Sequence, residues 1–451
     1  MKLVKSLLLG SAAGIVAVGS AVAADLPVRK AAPVDYVQVC SAFGTGYFYI
    51  PGTDTCLKVG GLVRWEYRYN ESKWQAEDGT VNFDPVTGDL TAAVVPAHDL
   101  ERGRSLSQFA RAELDFNAMT ATEFGTLASY IRIRGDQGGS MNVVHSYIEF
   151  AGITAGRAPS FFGYGGTAAF NGGFGRVGAN EGNLIGYKAD LGAVTVGLSL
   201  EDRASNQIWA VTGTNPVAFA NTRANTNMPA VVGALEFSQG MFGGKLSGAV
   251  HQLRSNSLVD DSFADSKLGF AIQGGINVRV APTTQLRFVA TYADGALGYL
   301  SSAPINNRFN VATGDAFIDE NNKIKTSQGW ALAANVSHQW TPTVSQNVYG
   351  AFARITPPGF VRLSAADADS LGVGAFTVGG APSRYDQWQV GTNVAWTPVS
   401  GLTVAGDVNY TRLETQHRMA INAPNGVQAD DARFSKHDDR WTATLRIQRA
   451  F

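Results

Sequence analysis

This chain has little of what most functional classes require. It carries 2 cysteines and 6 histidines in 451 residues. The histidines (His98, His145, His251, His338, His417, His437) are scattered without ligand spacing, so no metal centre is expected. Neither sign of charge dominates: 36 Lys and Arg stand against 37 Asp and Glu. That balance leaves no basic stripe of the kind nucleic-acid binding needs. There is no Walker motif, no H-E-x-x-H and no G-x-S-x-G elbow. A literal G-x-G-x-x-G at Gly173, Gly175 and Gly178 lacks the flanking strand and helix of a dinucleotide site. Beyond the first 23 residues no apolar run reaches about 18 residues, which excludes a membrane-spanning helix.

The first 23 residues read as a processing segment. Lys2 and Lys5 open it, Leu7 to Val18 is apolar, and Ala21-Val22-Ala23 is an A-x-A cleavage site. The mature chain is expected to begin near Ala24, and loss of the two lysines leaves 34 basic residues against 37 acidic. In an exported, oxidising compartment Cys40 and Cys56 most simply pair as a disulfide. Residues 24–56 then form an N-terminal segment, with extended pieces at Tyr36–Cys40 and Tyr47–Ile50.

What the chain has in abundance is alternation. In Lys267–Val280, Leu268, Phe270, Ile272, Ile276, Val278 and Val280 share one face, while Lys267, Gln273, Asn277 and Arg279 share the other. Sixteen such strands are expected, near 57–69, 105–118, 123–134, 141–150, 153–158, 184–190, 193–201, 230–238, 244–254, 267–280, 284–293, 327–340, 344–355, 385–396, 402–413 and 440–451. Long connections (70–104, 202–229, 294–326, 356–384, 414–439) alternate with tight ones, with a short exception at 135–140. Trp65, Tyr67, Tyr69, Tyr292, Trp330, Tyr410 and Trp441 fall at one set of strand ends, and Trp340, Trp396 and Phe451 at the other. Unequal connections and two aromatic girdles are features of an outer-membrane barrel. Strands in lipid cannot leave an edge unpaired, so they must close. The fold class is therefore all-β, a transmembrane antiparallel β-barrel of 16 strands over 57–451. Mean hydropathy of −0.04 is compatible, since only alternate residues face lipid.

The opposite face of the early strands is charged. Lys58, Arg64, Glu66 and Arg68, then Arg111, Glu113 and Asp115, then Arg132 and Arg134 alternate with apolar residues. His145, Tyr147, Glu149 and Arg157 continue the series on the next two strands. Arg or Lys turned to lipid at the midplane costs about 2–4 kcal/mol, so these side chains must line the interior. A barrel of this size is too wide for side chains alone to fill and must hold water. The connection 159–183 alternates glycine with Phe161, Phe162, Tyr164, Phe170 and Phe174, which suits a loop folded against an inner wall. It is expected to narrow the pore, with Glu181 as its acidic contribution opposed to Arg64, Arg111, Arg132, Arg134 and Arg157. Opposed charges there would set a transverse field that orders polar solutes. Glu113, Asp115 and His145 could together activate water, but such charges belong on any channel wall, and neither catalysis nor a cofactor is expected.

The block Val39-Cys40-Ser41, with Gly46-Tyr47-Phe48-Tyr49-Ile50-Pro51-Gly52-Thr53-Asp54-Thr55-Cys56-Leu57-Lys58-Val59-Gly60-Gly61, closely resembles the N-terminal signature of the general porins of alphaproteobacteria. Ala24-Asp25-Leu26-Pro27 and the closing Phe451 are similar too. The resemblance implies a multi-pass homotrimer in the outer membrane, with the third external loop folded inward. It implies passive diffusion of small hydrophilic solutes, and a terminal Phe451 read by the outer-membrane insertion machinery. Two other readings compete. A channel selective for sugars would need more inward aromatics than Tyr130 and Tyr147, and one selective for anions a lysine cluster; an adhesin or receptor would work through its long loops.

Overall fold

Each β-strand exposes an unpaired row of amides and carbonyls, and in the barrel wall of this chain every row finds its partner in a neighbouring strand. The computed structural model describes residues 38–72, 80–83, 90–93, 103–170, 181–202, 208–212, 218–257, 262–300, 314–319, 321–359, 384–420 and 434–451. The export signal expected at 1–23, its cleavage site and residues 24–37 lie outside them. Sixteen strands form the wall: β1 (Cys56–Ser72), β2 (Gly103–Thr122), β3 (Gly125–Asp136), β4 (Met141–Phe150), β5 (Ile153–Pro159), β6 (Glu181–Asp190), β7 (Val194–Glu201) and β8 (Ala230–Gln239). They continue as β9 (Phe242–Asn256), β10 (Phe263–Ala281), β11 (Thr284–Asp294), β12 (Gln328–Thr341), β13 (Val344–Thr356), β14 (Tyr385–Val399), β15 (Leu402–Ala420) and β16 (Phe434–Ala450). Consecutive strands pair antiparallel, and β16 returns to β1, so the sheet closes.

Closure is tight at the chain's end. Gly61 and Phe451 exchange backbone hydrogen bonds of 3.1 Å in both directions. A Cβ on Gly61 would sit 2.3 Å from the Glu113 carbonyl and 3.0 Å from the Phe451 ring. Only glycine allows the last residue to lie against the first strand there. At the same end, β4 turns into β5 through Ala151 (φ 48) and Gly152 (φ 85), two successive positive-φ residues of the kind two-residue hairpins require.

The alternation places polar groups inside. On β10, Phe270 and Ile272 are exposed on the outer face while Gln273 is buried on the inner one. Outward rings pair along neighbouring strands, as Trp330 with Phe352 (4.8 Å), Phe352 with Trp388 (4.3 Å) and Tyr410 with Trp441 (5.1 Å). A depression of about 940 Å³ on this outer face is lined by Leu235, Phe237, Leu246, Phe288, Leu332 and Trp388. It belongs to the lipid side, not to the lumen.

Several strands run longer than the alternation predicts. β15 and β16 stay paired to Ala420 and Phe434, so their connection is 421–433, shorter than 414–439. Alternation in polarity ends where lipid ends, whereas backbone pairing can continue into water. For the same reason β6 starts at Glu181, paired with Pro159, and the connection after β5 is 160–180, shorter at both ends than 159–183.

Outside the wall, Phe48–Tyr49 pairs with Cys56 and Leu57 of β1, and a disulfide joins Cys40 to Cys56. Cys40, Tyr47 and Cys56 are buried there against Phe43, Tyr49 and Met119. On the long-loop side, strands 208–212, 218–221, 316–318 and 324–326 form a separate four-stranded sheet. Ile208, Ala316, Ile318 and Ile324 of that sheet bury themselves against Leu253 of β9.

Candidate functional site: the inner loop and the charged wall

The connection after β5 turns into the barrel because the wall supplies partners for its backbone. Phe161 N donates to Glu201 Oε1 of β7 (3.0 Å), and Ser247 Oγ of β9 donates to the Phe162 carbonyl (2.6 Å). Lys245 Nζ donates to the Gly163 carbonyl (3.1 Å), and Tyr164 N donates to Gln273 Oε1 of β10 (2.8 Å). Thr167 Oγ1 reaches Gln389 of β14 (3.3 Å), and Asn393 Nδ2 of β14 donates to the Ala168 carbonyl (2.8 Å). Finally the Phe170 ring lies under the Arg446 guanidinium of β16, 3.7 Å away. The segment thus follows the inner wall from β7 to β16.

Its aromatic rings fit where the wall has no side chain. A Cβ on Gly275 would lie 2.1 Å from Tyr164 Cδ1, and one on Gly186 would lie 2.8 Å from the Phe161 ring. Phe162 is fully buried and packs at a tilt against Tyr299 (4.6 Å), the last residue of a 3-10 turn at Leu297–Tyr299 in the β11–β12 connection. The inward loop is therefore wedged between the wall and a second external connection.

Beyond these anchors, starting at Arg446 itself, β1, β2, β3 and β16 carry a lattice of arginine and carboxylate. Glu66 is fully buried and is held by Arg68 Nε (2.7 Å) and Arg446 Nε (2.7 Å). Arg111 grips Asp136 with two bonds (2.6 and 3.0 Å), and Arg132 grips Asp115 likewise (2.6 and 2.9 Å). Arg134 donates to Glu113 Oε1 at 2.7 Å. Arg64 donates its Nε to Gln448 (2.8 Å) and comes no nearer than 4.0 Å to Glu66. Phe109 lies 3.8 Å from the Arg68 guanidinium and 5.2 Å from that of Arg111. Ion pairs with one face open to water contribute about 0–1 kcal/mol each. The Glu66 cluster is enclosed, and stripping its partners would leave a buried charge costing about 3–5 kcal/mol.

The structure thus brings Arg64, Arg111, Glu113, Arg132 and Arg134 together on one stretch of wall. It leaves two of the expected residues apart. Glu181 is the first residue of β6, not a loop residue, and its carboxylate lies 3.4 Å from His145 Nε2. Arg157 donates its Nε to the Val144 carbonyl (3.2 Å) and joins none of the lattice pairs. Arg157 shares the face of the exposed Ile153, opposite the buried Thr154 and Ala158, and β5 keeps an unbroken register with β4 and β6. Arg446 is the residue that the sequence reading missed. Its signal was present, since Trp441, Leu445 and Ile447 face outward and Thr444, Arg446 and Gln448 must then face inward.

A closed antiparallel barrel, apolar outside and hydrated within, with one loop folded along its inner wall, defines the class as a membrane channel of the porin type. A family model described as the porin subfamily matches residues 25–442, and the chain belongs to that family. It is similar to the porin Omp2b of Brucella suis biovar 1 (strain 1330), 28% identical over 458 residues and covering 99% of each chain. The Omp2b porin of Brucella abortus (strain 2308) matches to the same extent. Among solved structures, the outer membrane channel DcaP of Acinetobacter baumannii shares the fold, with a TM-score of 0.59 at 15% identity, covering 89% of this chain and 99% of that one. The protein is an outer-membrane porin, a multi-pass barrel for passive diffusion.

Proposed function

We propose that small hydrophilic solutes and ions diffuse through a water-filled passage bounded on one side by loop 160–180 and on the other by the arginine lattice. The observation that carries this reading is the course of residues 161–170. They are tied to β7, β9, β10 and β14 and end against Arg446 of β16, where the lattice on β1, β2, β3 and β16 begins. A loop so held takes up part of the lumen, and what remains passes beside the charged wall. Charges lining a narrowed, water-filled passage set ion preference without a tight binding site. The pore constriction then comprises Arg64, Arg111, Glu113, Arg132 and Arg134, with Arg446 added. Glu181 acts through His145, and Arg157 lies outside the constriction.

Three further parts of the reading rest on the family. The mature chain begins near Ala24 after removal of residues 1–23, the channel assembles as a homotrimer, and Phe451 addresses the chain to the insertion machinery. Cross-linking in outer-membrane vesicles tests the trimer. Deletion of residues 163–175 tests the narrowing: single-channel conductance in a planar bilayer should rise. An unchanged conductance would remove the loop from the limiting part of the pore.

A further inference from the structure

We infer that Arg64 forms an anion subsite in the narrowed passage and that the pore prefers small anions to cations. The inference rests on the reading that loop 160–180 bounds that passage. Its first support is what the loop lacks. From Ser160 to Phe170, the described part of the loop, there is no Asp, Glu, Lys or Arg. The passage is therefore not bounded by opposed charges. One bank carries the guanidinium lattice, and the other, over residues 160–170, carries backbone, glycine and aromatic rings, with the Arg287 guanidinium of β11 beside Gly165.

The second support is how the carboxylates are occupied. On the lattice, Asp136, Asp115 and Glu113 are taken by Arg111, Arg132 and Arg134 at 2.6 to 2.7 Å, and Glu66 by both Arg68 and Arg446. Of the other inward carboxylates along the loop's course only Glu236 has a cationic partner, whereas Glu201 and Asp407 accept from neutral donors and keep their charge. Glu201 accepts from Phe161 N and Ser199 Oγ, Glu236 faces Lys245 at 3.0 Å, and Asp407 accepts from Tyr349 and Asn409. Glu181 meets His145.

Arg64 is the exception among the lattice arginines. Its Nε bond goes to the neutral Gln448, and the carboxylate 4.0 Å from its Nη1 already holds two other guanidinium groups. Arg111 is its cross-strand neighbour on β2, and Arg446 lies diagonally across on β16 beside Gln448. Three guanidinium groups thus meet where the local negative charge is shared out to others. In a water-filled but narrow space such a surplus raises the local concentration of anions. Guanidinium donors also match the oxygens of sulfate-like or carboxylate anions, which they can hold through two bonds. A dianion should dwell there longer than chloride.

The test uses the purified full-length porin in a planar bilayer under a KCl gradient. The wild type should show a reversal potential of the sign set by chloride. Arg64→Gln should lower the chloride-to-potassium permeability ratio by about two-fold or more, and Arg64→Lys, which keeps the charge but loses the Gln448 bond, should retain the wild-type ratio. Sodium sulfate added to KCl should reduce the current through the wild type and do so less in Arg64→Gln. A cation-preferring wild type overturns the inference, as does an Arg64→Gln channel with the wild-type reversal potential. Loss of the preference in Arg64→Lys as well would show that geometry, not charge, was responsible, and would overturn it too. Failure of the narrowing itself would show separately, as a conductance indifferent to the loop deletion.

Discussion

Gly275→Ala should lower the conductance of this channel, and the direction follows from where one methyl group would go. Gly275 is an inward residue of β10, and the Tyr164 ring of the inner loop lies against its Cα. A Cβ there would stand 2.1 Å from Tyr164 Cδ1 and 2.9 Å from Cε1 and Cγ. Carbon atoms in contact sit about 3.5–4.0 Å apart, so the ring must retreat by about 1.5 Å. The barrel wall cannot give, because Gly275 pairs with Lys245 on one side and Val289 on the other. The retreat is therefore into the lumen, carrying with it a loop whose neighbouring bonds are Tyr164 N to Gln273 and Lys245 to the Gly163 carbonyl. Overpacking of this kind costs about 1–3 kcal/mol, which a closed barrel should tolerate. Gly274→Ala is the control. Gly274 is the adjacent residue, faces outward and has nothing within 4 Å of a Cβ. Single-channel conductance in a planar bilayer should fall for Gly275→Ala and stay at the wild-type value for Gly274→Ala. Equal conductance in the two variants, with both folded, would refute the placement of Tyr164 and with it the course of the loop.

The other predictions concern closure, the N-terminal lobe and one external hairpin. Gly61→Val should prevent the last strand from seating, because its Cβ would fall 2.3 Å from the Glu113 carbonyl; the variant should lose the heat-modifiable gel mobility of a folded barrel, and a normally folded variant would contradict this. Replacing both Cys40 and Cys56 by Ser opens a covalent loop of sequence separation 16, worth about 3 kcal/mol for a loop near that size. Proteolysis within residues 38–55 should accelerate while conductance holds, and an unaltered cleavage rate would count against the disulfide as the brace. In the external hairpin, Asp319 accepts from the amides of Asn321 (3.0 Å) and Lys323 (2.9 Å), with Lys325 Nζ 3.4 Å away. Burial alone would raise its carboxyl, but these donors outweigh it and hold it below the ordinary carboxylate value. The stabilisation is then present above the unfolded value of about 4 and fades as pH falls through the lower folded one. Amide exchange at Asn321 and Lys323, corrected for intrinsic rates, should speed up below about pH 4 in the wild type and be fast throughout in Asp319→Asn. A flat wild-type profile would sink that assignment.

The parts of this molecule that could be read from its sequence are those governed by a single repeating boundary condition. Lipid lies on one side of every strand and water on the other, so polarity must alternate with period two wherever the chain crosses. That rule placed Gln273 inside and Ile272 outside with no knowledge of any partner. It also implied Arg446 once Leu445 and Ile447 are turned outward. The rule has no hold where polarity stops alternating. At Glu181, backbone pairing with Pro159 extends the strand past the last clear alternation and moves an expected loop carboxylate onto the wall. The inner loop is a harder case for another reason. Its apolar rings and glycines show that it needs a wall, but the wall's answer is spread over Glu201, Ser247, Gln273, Gly275 and Asn393, on strands far apart in sequence. Each of those residues is unremarkable on its own strand, where a serine, a glutamine or a glycine fits the inward face of any hydrated barrel. Only the close approach of two backbones makes Gly275 a socket for Tyr164, and no local pattern in either segment encodes that approach. The charge balance of the passage inherits the same logic. The arginines are legible one strand at a time, whereas the shortage of carboxylate at Arg64 depends on β1 and β16 dividing Glu66 among three guanidinium groups.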